Sequence, residues 1–239
     1  TRLQGDWSSD VCSSDLNLAP RAYHSGDHEE IDWILKRLRE QAAAPLWVVG
    51  VSLGGNALMR WAQEQGTQAR ASASALVSLS APLDLQSSGR AMDQGFNKQV
   101  YTRAFLHTMK PKAMQKLAQY PGLFDVAALQ KVTTLYDFDN LVTAPMHGFR
   151  DTDDYWRRAS ARPALASIQV PTLLVNACND PFVPKESLPT RGSVGPCVTL
   201  CQPQRGGHVG FVQGGFPGQW QGVARELVAW LMARAGGHG

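Results

Sequence analysis

Apolar residues along this chain follow two periods, one typical of helices and one typical of buried strands. Isoleucine and leucine at 31, 34, 35 and 38 recur at i, i+3, i+4 and i+7 among charged neighbours, which predicts an amphipathic helix over 27–41. Short, largely apolar runs at 46–49, 75–80 and 172–176 predict strands buried on both faces of a parallel sheet. Residues 197–201 predict a weaker fourth strand, and helical spacing returns at 56–65 and 220–231.

The long segment between the second and third predicted strands contains only helical patterns, at 99–109, 112–119 and 126–132. The succession strand, helix, strand, helical insertion, strand, strand, helix predicts an α/β fold. We expect a mostly parallel sheet with flanking helices and a helical cap inserted after one strand. The core would comprise 17–85 and 163–239, and the cap would comprise 86–162.

The first sixteen residues do not share this organisation. Residues 6–16 have the sequence DWSSDVCSSDL, without hydrophobic period, and resemble the conceptual translation of a common sequencing adapter. We therefore interpret 1–16 as an artefactual segment and exclude it from fold prediction, with a natural disordered tail as the alternative. On this interpretation the chain is truncated at its N-terminus.

Composition narrows the possible functions. The 239 residues include 23 Lys and Arg against 20 Asp and Glu, a net charge of +3 without a basic stripe, which disfavours nucleic-acid binding. The longest apolar stretch, 45–59, is interrupted by polar residues and is shorter than the roughly 20 residues of a transmembrane helix. Four cysteines and no signal peptide favour a cytoplasmic protein without a disulfide scaffold.

No metal site or cofactor is expected. The six histidines show no metal-ligand spacing, and His147 is the one outside the motifs below that merits attention. Cys197 and Cys201 fall in the predicted fourth strand, where we expect two buried thiols rather than metal ligands.

Ser52 lies at the centre of the sequence GVSLG, between a predicted strand and a predicted helix. This is the context of the nucleophile elbow, in which a serine occupies a strained turn that presents its hydroxyl. Gly50 and Gly54 would let neighbouring backbone pass close by. The short pattern alone is a weak signal, and the flanking strand and helix strengthen it.

A serine hydroxyl becomes a good nucleophile when a base takes its proton and an acid orients that base. Asp180 follows the third predicted strand, and His208 lies in a glycine-flanked loop after the fourth. The order Ser52, Asp180, His208 is the order in α/β hydrolases. Each residue alone could instead be a turn or loop residue, and the joint arrangement favours a catalytic triad.

The motifs GVSLGGN, SAPLDL, YDFDNLVTAPMHGFRDTDDYW, NACNDPF and GGHVGF together resemble the YheT-like family of α/β hydrolases from about residue 17 to the C-terminus. The resemblance implies a serine esterase with a helical cap, acting on carboxylic esters or acylglycerols without a cofactor. It assigns Ser52 as nucleophile, His208 as general base and Asp180 as the acid that orients the histidine.

The oxyanion hole is the point at which the sequence departs from this family. The backbone N–H of Leu53 would supply one donor, but the loop that supplies the second has no counterpart here. Losing one donor typically costs roughly 10²–10³ in turnover. We therefore expect an active parent enzyme and a poorly active truncated chain, whose strand at 46–49 would be an unpaired edge.

Substrate choice is predicted to depend on the cap. Its apolar residues suit the acyl chain of a small, short- to medium-chain ester or lipid-like substrate, although each could simply pack the cap on the core. A thioesterase and a non-catalytic scaffold that binds a ligand or partner remain alternatives. The oligomeric state is not predicted. The cap residues considered are Phe96, Tyr101, Phe105, Leu106, Tyr136, Phe138, Met146, Phe149 and Tyr155.

Overall fold

A computed structural model describes residues 19–44, 46–211 and 221–235. The described residues form a four-stranded parallel sheet in the order β1-β2-β3-β4. Its strands are β1 (Leu46–Val51), β2 (Ala73–Leu79), β3 (Thr172–Val175) and β4 (Val198–Cys201). The predicted α/β class with a parallel sheet is confirmed, and the carboxyl ends of all four strands share one edge.

Helices connect and flank the strands. They are α1 (His28–Gln41), α2 (Leu53–Gln65), α3 (Ala69–Ser72), α4 (Leu85–Met92), α5 (Gly95–Asn97), α6 (Arg103–Gln119), α7 (Val126–Lys131), α8 (Leu135–Phe138), α9 (Ala144–Met146), α10 (Thr152–Ala159) and α11 (Gln221–Ala235). Residues 1–16, interpreted above as artefactual, lie outside the described residues. No described helix has both the length and the apolarity needed to cross a membrane.

Each face of the sheet packs against helices. On one face, Leu58 and Trp61 of α2 join Leu76 and Leu174 of the strands in a buried cluster. On the other face, side chains of α11, including Leu227, pack against β2 and β3. Each large side chain buried in this way contributes about 1.5–3 kcal/mol. The sheet is therefore held between α2 on one side and α11 on the other.

The prediction that the first strand is buried on both faces is wrong. Trp47, Val49 and Val51 are 43%, 47% and 45% exposed. β1 lies at an edge of the described sheet, and α11 packs over β2 and β3 rather than over β1. One face of β1 is consequently apolar and open to solvent.

Between β2 and β3 every described regular element is helical. α6 continues through Pro111 as a single helix, so the prediction of two separate helical pieces is wrong. Proline removes one N–H donor from the helix without ending it here. Two π-helical turns, Lys98–Thr102 and Asp139–Thr143, interrupt the regular pattern. We propose that this segment is the cap, with the boundaries 86–162 expected above.

Candidate active site

The turn between β1 and α2 holds Ser52 in a strained conformation. Ser52 has φ 52° and ψ −124°, a conformation that costs a non-glycine residue about 1–3 kcal/mol. Its N–H donates to the Leu79 carbonyl oxygen at 2.8 Å, and its own carbonyl accepts from the N–H groups of Gly55 and Asn56 at 2.9 and 3.3 Å. Neighbouring backbone therefore holds the strained turn in place.

Two glycines make this turn possible. A Cβ on Gly50 would lie 2.6 Å from the Gly54 carbonyl oxygen, and one on Gly55 would lie 2.7 Å from Ser78 Oγ. A Cβ on Gly54 would meet only the Tyr23 hydroxyl, at an ordinary 3.7 Å. The prediction that backbone passes too close for a side chain is confirmed at Gly50 and wrong at Gly54. The second glycine that the turn requires is Gly55, which packs against Ser78 of β2.

The structure brings Ser52, His208 and Asp180 together in one hydrogen-bonded chain. His208 Nε2 lies 2.9 Å from Ser52 Oγ, and His208 Nδ1 lies 2.8 Å from Asp180 Oδ2. An ionised carboxylate only accepts, so Nδ1 donates to Asp180 and leaves Nε2 free to accept the Ser52 O–H. The Asp180 side chain is fully buried, and its Oδ1 accepts from the Phe182 N–H at 2.8 Å. Their catalytic roles stay a prediction.

Residues beside the acid position the histidine loop, and the sequence reasoning missed them. Asn179 Oδ1 accepts from the N–H groups of Gly206 and Gly207 at 2.9 and 3.0 Å. The Phe182 ring lies 4.5 Å from the His208 ring. Both residues belong to the motif NACNDPF, so their proximity to Asp180 in the sequence was the available signal.

Leu53 directly follows Ser52 in the chain. It is the first residue of α2, and the first N–H groups of a helix have no acceptor within that helix. Leu53 also lines the same cavity as Ser52 and His208. Its predicted role as a backbone donor stays a prediction.

This cavity has a volume of about 280 Å³. Most of its lining is apolar and comes from the helices between β2 and β3, including Leu85, Met92 and Met109. Two of the predicted cap residues, Phe105 and Tyr155, also line it. Polar residues that the sequence did not single out also line it, among them Ser25, Ser88, Asp139 and Thr143. An apolar cavity beside a serine suits the acyl or alcohol portion of an ester.

The other predicted cap residues lie elsewhere. Leu106 and Phe138 are buried in the core of the helical segment, and Tyr136 packs on Trp156 with ring centroids 5.5 Å apart. Tyr101 packs on Phe182 at 4.7 Å, Phe96 is 71% exposed, and Met146 and Phe149 line a separate polar cavity. Packing therefore accounts for several of these side chains, as the alternative interpretation allowed.

His147 links the helical segment to the chain before α1. Its Nδ1 lies 2.8 Å from the Thr143 carbonyl oxygen and its Nε2 lies 2.6 Å from that of Ala22. Its ring is 4.5 Å from that of His24, whose pKa burial lowers to about 4. No group of three or more possible metal ligands occurs among the described residues.

The expectation of two buried thiols is wrong. Cys197 is half-buried and Cys201 is exposed. β4 forms the second edge of the described sheet, so its last residue has no neighbouring strand to cover it. Partial desolvation of the thiol and the nearby Glu226 carboxylate nevertheless raise the pKa of Cys201 above its ordinary value.

Comparison with known proteins gives matches over most of the chain. Residues 11–215 match the protein family described as the alpha/beta hydrolase fold. Over 225 residues the chain is 40% identical to YheT of Escherichia coli strain K12, a proposed esterase; the alignment covers 92% of this chain and 65% of YheT. It is 26% identical to the phospholipase ABHD3 of Mus musculus, covering 90% of this chain and 53% of that protein. The chain thus spans between half and two thirds of these relatives.

A solved structure has the same overall architecture. An esterase from Exiguobacterium antarcticum matches with a TM-score of 0.51 at 15% identity, covering 92% of this chain and 77% of that one. At this identity the similarity shows a shared fold alone.

Proposed function

The chain belongs to the alpha/beta hydrolase fold family, as its YheT-like motifs predicted, and we propose that it is a serine hydrolase of carboxylic esters. The observation that supports this most strongly is the hydrogen-bonded series from Ser52 through His208 to Asp180, at the wall of an apolar cavity. The esterase and phospholipase designations of the two relatives agree with the proposal.

The reaction proceeds by acyl transfer. His208 Nε2 takes the Ser52 proton while Oγ attacks the ester carbonyl, and the Leu53 N–H donates to the oxyanion. His208 then gives the proton to the departing alkoxide, which leaves an acyl group on Ser52. His208 then deprotonates a water molecule, which attacks the acyl carbonyl, and His208 returns the proton to Ser52 Oγ as the carboxylic acid leaves. Asp180 stabilises the imidazolium in both halves of the reaction.

The substrates we propose are short- to medium-chain acyl esters or acylglycerols. The cavity of about 280 Å³ lies just below the usual range of ligand pockets, which begins near 300 Å³, and therefore suits a small substrate. Its apolar lining favours an uncharged, partly aliphatic molecule. A Ser-His-Asp triad can cleave both oxygen esters and thioesters. We propose an oxygen ester because the relatives are named as an esterase and a phospholipase.

Fluorophosphonate labelling tests the nucleophile directly. We expect the probe to modify the peptide that contains Ser52, and Ser52→Ala to abolish both labelling and hydrolysis of p-nitrophenyl acetate. Ser72→Ala, in α3 and outside the cavity, is the matched control and should keep both. Absence of labelling and turnover in the wild-type chain would contradict the proposal. Labelling without measurable turnover would show an activated Ser52 and match the poor activity expected above for this chain, whereas absence of labelling would favour a ligand-binding scaffold.

A further inference from the structure

We propose that the helical segment from α5 through α6 docks on an anionic lipid surface, beside the mouth of the substrate cavity. Docking goes beyond the proposed function. The further step, in which the cavity takes an ester from that surface, rests on the proposed function. The docking face comprises the exposed or half-buried side chains of Phe96, Lys98, Val100, Arg103, Phe105 and Met114.

Positive charge is concentrated in this segment. Residues 94–124 include five Lys or Arg and no Asp or Glu, whereas the rest of the chain has 18 basic and 20 acidic residues. Lys98 and Arg103 form no ion pair with a carboxylate in the part of the chain that the structure describes. Lys116 is buried and is not part of the docking face. A surface with cations and no acidic residue attracts an anionic partner.

Apolar side chains are exposed among these cations. Phe96 is 71% exposed, and Val100, Phe105 and Met114 are 43%, 42% and 40% exposed. An exposed apolar patch next to charged residues marks a surface that contacts another protein or a membrane. The partner of this face must therefore cover apolar side chains as well as neutralise cations.

One side of α6 is exposed along the length of the helix. The exposed residues recur at i, i+4, i+8, i+11 and i+15, which places them on one helix face. A helix of 17 residues is about 25 Å long. An exposed helix face that combines basic and apolar residues is typical of a helix that lies flat on a membrane. These residues are Arg103, His107, Pro111, Met114 and Ala118.

Ring contacts connect the docking face to the active site. The ring of Phe96 lies 6.1 Å from that of Tyr101, which lies 4.7 Å from that of Phe182. The Phe182 ring lies 4.5 Å from the His208 ring and 6.1 Å from the Phe105 ring. Phe105 lines the substrate cavity and is also half-exposed. The cavity therefore opens at the docking face.

A lipid surface matches this face better than a nucleic acid. Both partners present phosphates to Lys98 and Arg103. The cations are too few for the basic stripe of a nucleic-acid-binding protein, and bases stack on aromatic rings but leave the aliphatic Val100 and Met114 uncovered. Acyl chains cover both kinds of side chain. The apolar lining of the adjoining cavity also suits an uncharged ester that leaves a lipid layer.

Flotation with lipid vesicles tests docking directly. The Ser52→Ala variant is used, so that no lipid is hydrolysed during the measurement. Vesicles rise in a sucrose gradient whereas self-associated protein sinks, which separates the two. We expect the protein to float with vesicles of phosphatidylcholine and about 30% phosphatidylglycerol, and to bind phosphatidylcholine alone at least tenfold more weakly. Binding to the anionic vesicles should fall as salt is raised to about 0.5 M.

An apolar substitution locates the contact. Phe96→Ser should weaken binding to the anionic vesicles about tenfold, because an aromatic ring then no longer leaves water on docking. Trp33→Ser is the matched control, since Trp33 is also a largely exposed aromatic residue but lies in α1. The control should bind as tightly as the parent protein. Thermal unfolding checks that both variants are folded.

Charge substitutions test the cations. Each Lys or Arg near an anionic membrane strengthens binding about fivefold, so the double variant Lys98→Gln and Arg103→Gln should lose at least tenfold. It should also depend less on salt. The matched control is the double variant Lys36→Gln and Arg37→Gln, at exposed positions of α1, which should keep both the affinity and the salt dependence.

Hydrolysis tests delivery of the ester. p-Nitrophenyl octanoate carried by anionic vesicles is compared with p-nitrophenyl acetate in solution, with the chain that retains Ser52. Phe96→Ser should lower the ratio of the first rate to the second about tenfold, because docking precedes only the first reaction. A ratio that Phe96→Ser leaves unchanged would overturn the delivery step.

The outcomes separate docking from the proposed function. Absence of flotation with anionic vesicles would overturn docking, as would equal losses in the docking-face and α1 variants. Equal binding to both kinds of vesicle would overturn the role given to the cations. Displacement of the vesicles by a short DNA duplex at equal phosphate concentration would overturn the lipid assignment in favour of a nucleic acid. Failure of Ser52 labelling and of all hydrolysis would reject the proposed function and leave docking standing.

Discussion

The side-chain amide of Asn56 donates a hydrogen bond to the carbonyl oxygen of Ala159, 2.8 Å away at the end of α10. Asn56 Nδ2 also donates to the Ser25 carbonyl at 2.7 Å, and Oδ1 accepts from the Ala161 N–H at 3.0 Å. Asn56 is fully buried. One side chain four residues after Ser52 thus joins the elbow helix to two separate segments of chain.

Asn56→Ala should destabilise the fold by about 3 kcal/mol or more. The substitution leaves two buried carbonyl groups and one N–H without a partner, and each such group costs about 1–3 kcal/mol. Urea unfolding measures the change. Gln94→Ala, at an exposed position without a capping bond, is the control and should change stability by less than about 0.5 kcal/mol. Equal losses in the two variants would contradict the role given to Asn56.

Asp180→Asn should lower kcat for ester hydrolysis by about 10⁴ with little loss of folded protein. An amide at this position can present its N–H₂ to His208, which places the ring proton on Nε2 and removes the acceptor for Ser52. Steady-state hydrolysis of p-nitrophenyl acetate and far-ultraviolet circular dichroism measure the two effects. Glu186→Gln, in an exposed turn, should match the wild type. A decrease below tenfold would indicate that Asp180 does not orient the base.

The proximity of Ser52, Asp180 and His208 could be predicted from the sequence, whereas the lining of the cavity could not, and the difference has a physical cause. Ser52, Asp180 and His208 each follow a strand, and parallel strands bring their carboxyl ends to one edge whatever the rest of the fold does. Ser88 and Asp139 lie in helices whose positions depend on how the segment between β2 and β3 packs. No local pattern distinguishes Ser88 from its neighbour Ser87. The exposure of β1 could not be predicted either, because a short apolar run has the same sequence pattern whether or not a helix or another strand covers it.

Stability should fall with rising pH through the titration of Asp139. Burial raises the pKa of this carboxyl to about 6 from an ordinary value of 3.8, so the folded chain binds its proton more tightly than the unfolded chain does. The favourable contribution is complete below about pH 4 and is lost as pH rises to about 6. The shift corresponds to a loss on the order of 2–3 kcal/mol.

Asp139→Asn removes this titration and is the direct test. Relative to the wild type, the variant should gain stability between pH 4 and pH 7.5 in urea unfolding. His24 has the opposite effect on stability. Its pKa is lowered from 6.5 to about 4 in the folded chain, so its contribution to stability is lost as pH falls from about 6.5 to about 4. It is present in both proteins and cancels in the difference. A difference that does not vary with pH would show that Asp139 is ionised in the folded chain throughout this range.

Substituting alanine for Gly54 and for Gly55, the neighbouring glycines after Ser52, should change thermal stability by different amounts. Gly55→Ala places a Cβ 2.7 Å from Ser78 Oγ and 2.9 Å from Ala81 Cβ, an overlap that costs about 1–3 kcal/mol. Gly54→Ala meets only an ordinary contact and adds helix propensity near the start of α2. Thermal unfolding should give a lower Tm for Gly55→Ala and an unchanged or higher Tm for Gly54→Ala. The reverse order would show that the turn is built differently.

The open face of β1 should make the chain self-associate. Trp47, Val49 and Val51 place three apolar side chains on one face of an edge strand, and edge strands of this kind pair with other chains unless charged residues oppose it. Light scattering should therefore increase with protein concentration, and Val49→Lys should reduce it, because a charge at the strand centre opposes pairing. Val126→Lys, at a position 37% exposed in α7, adds the same charge away from β1 and controls for net charge. If both lysine variants reduce scattering equally, the association depends on overall charge and not on the β1 face.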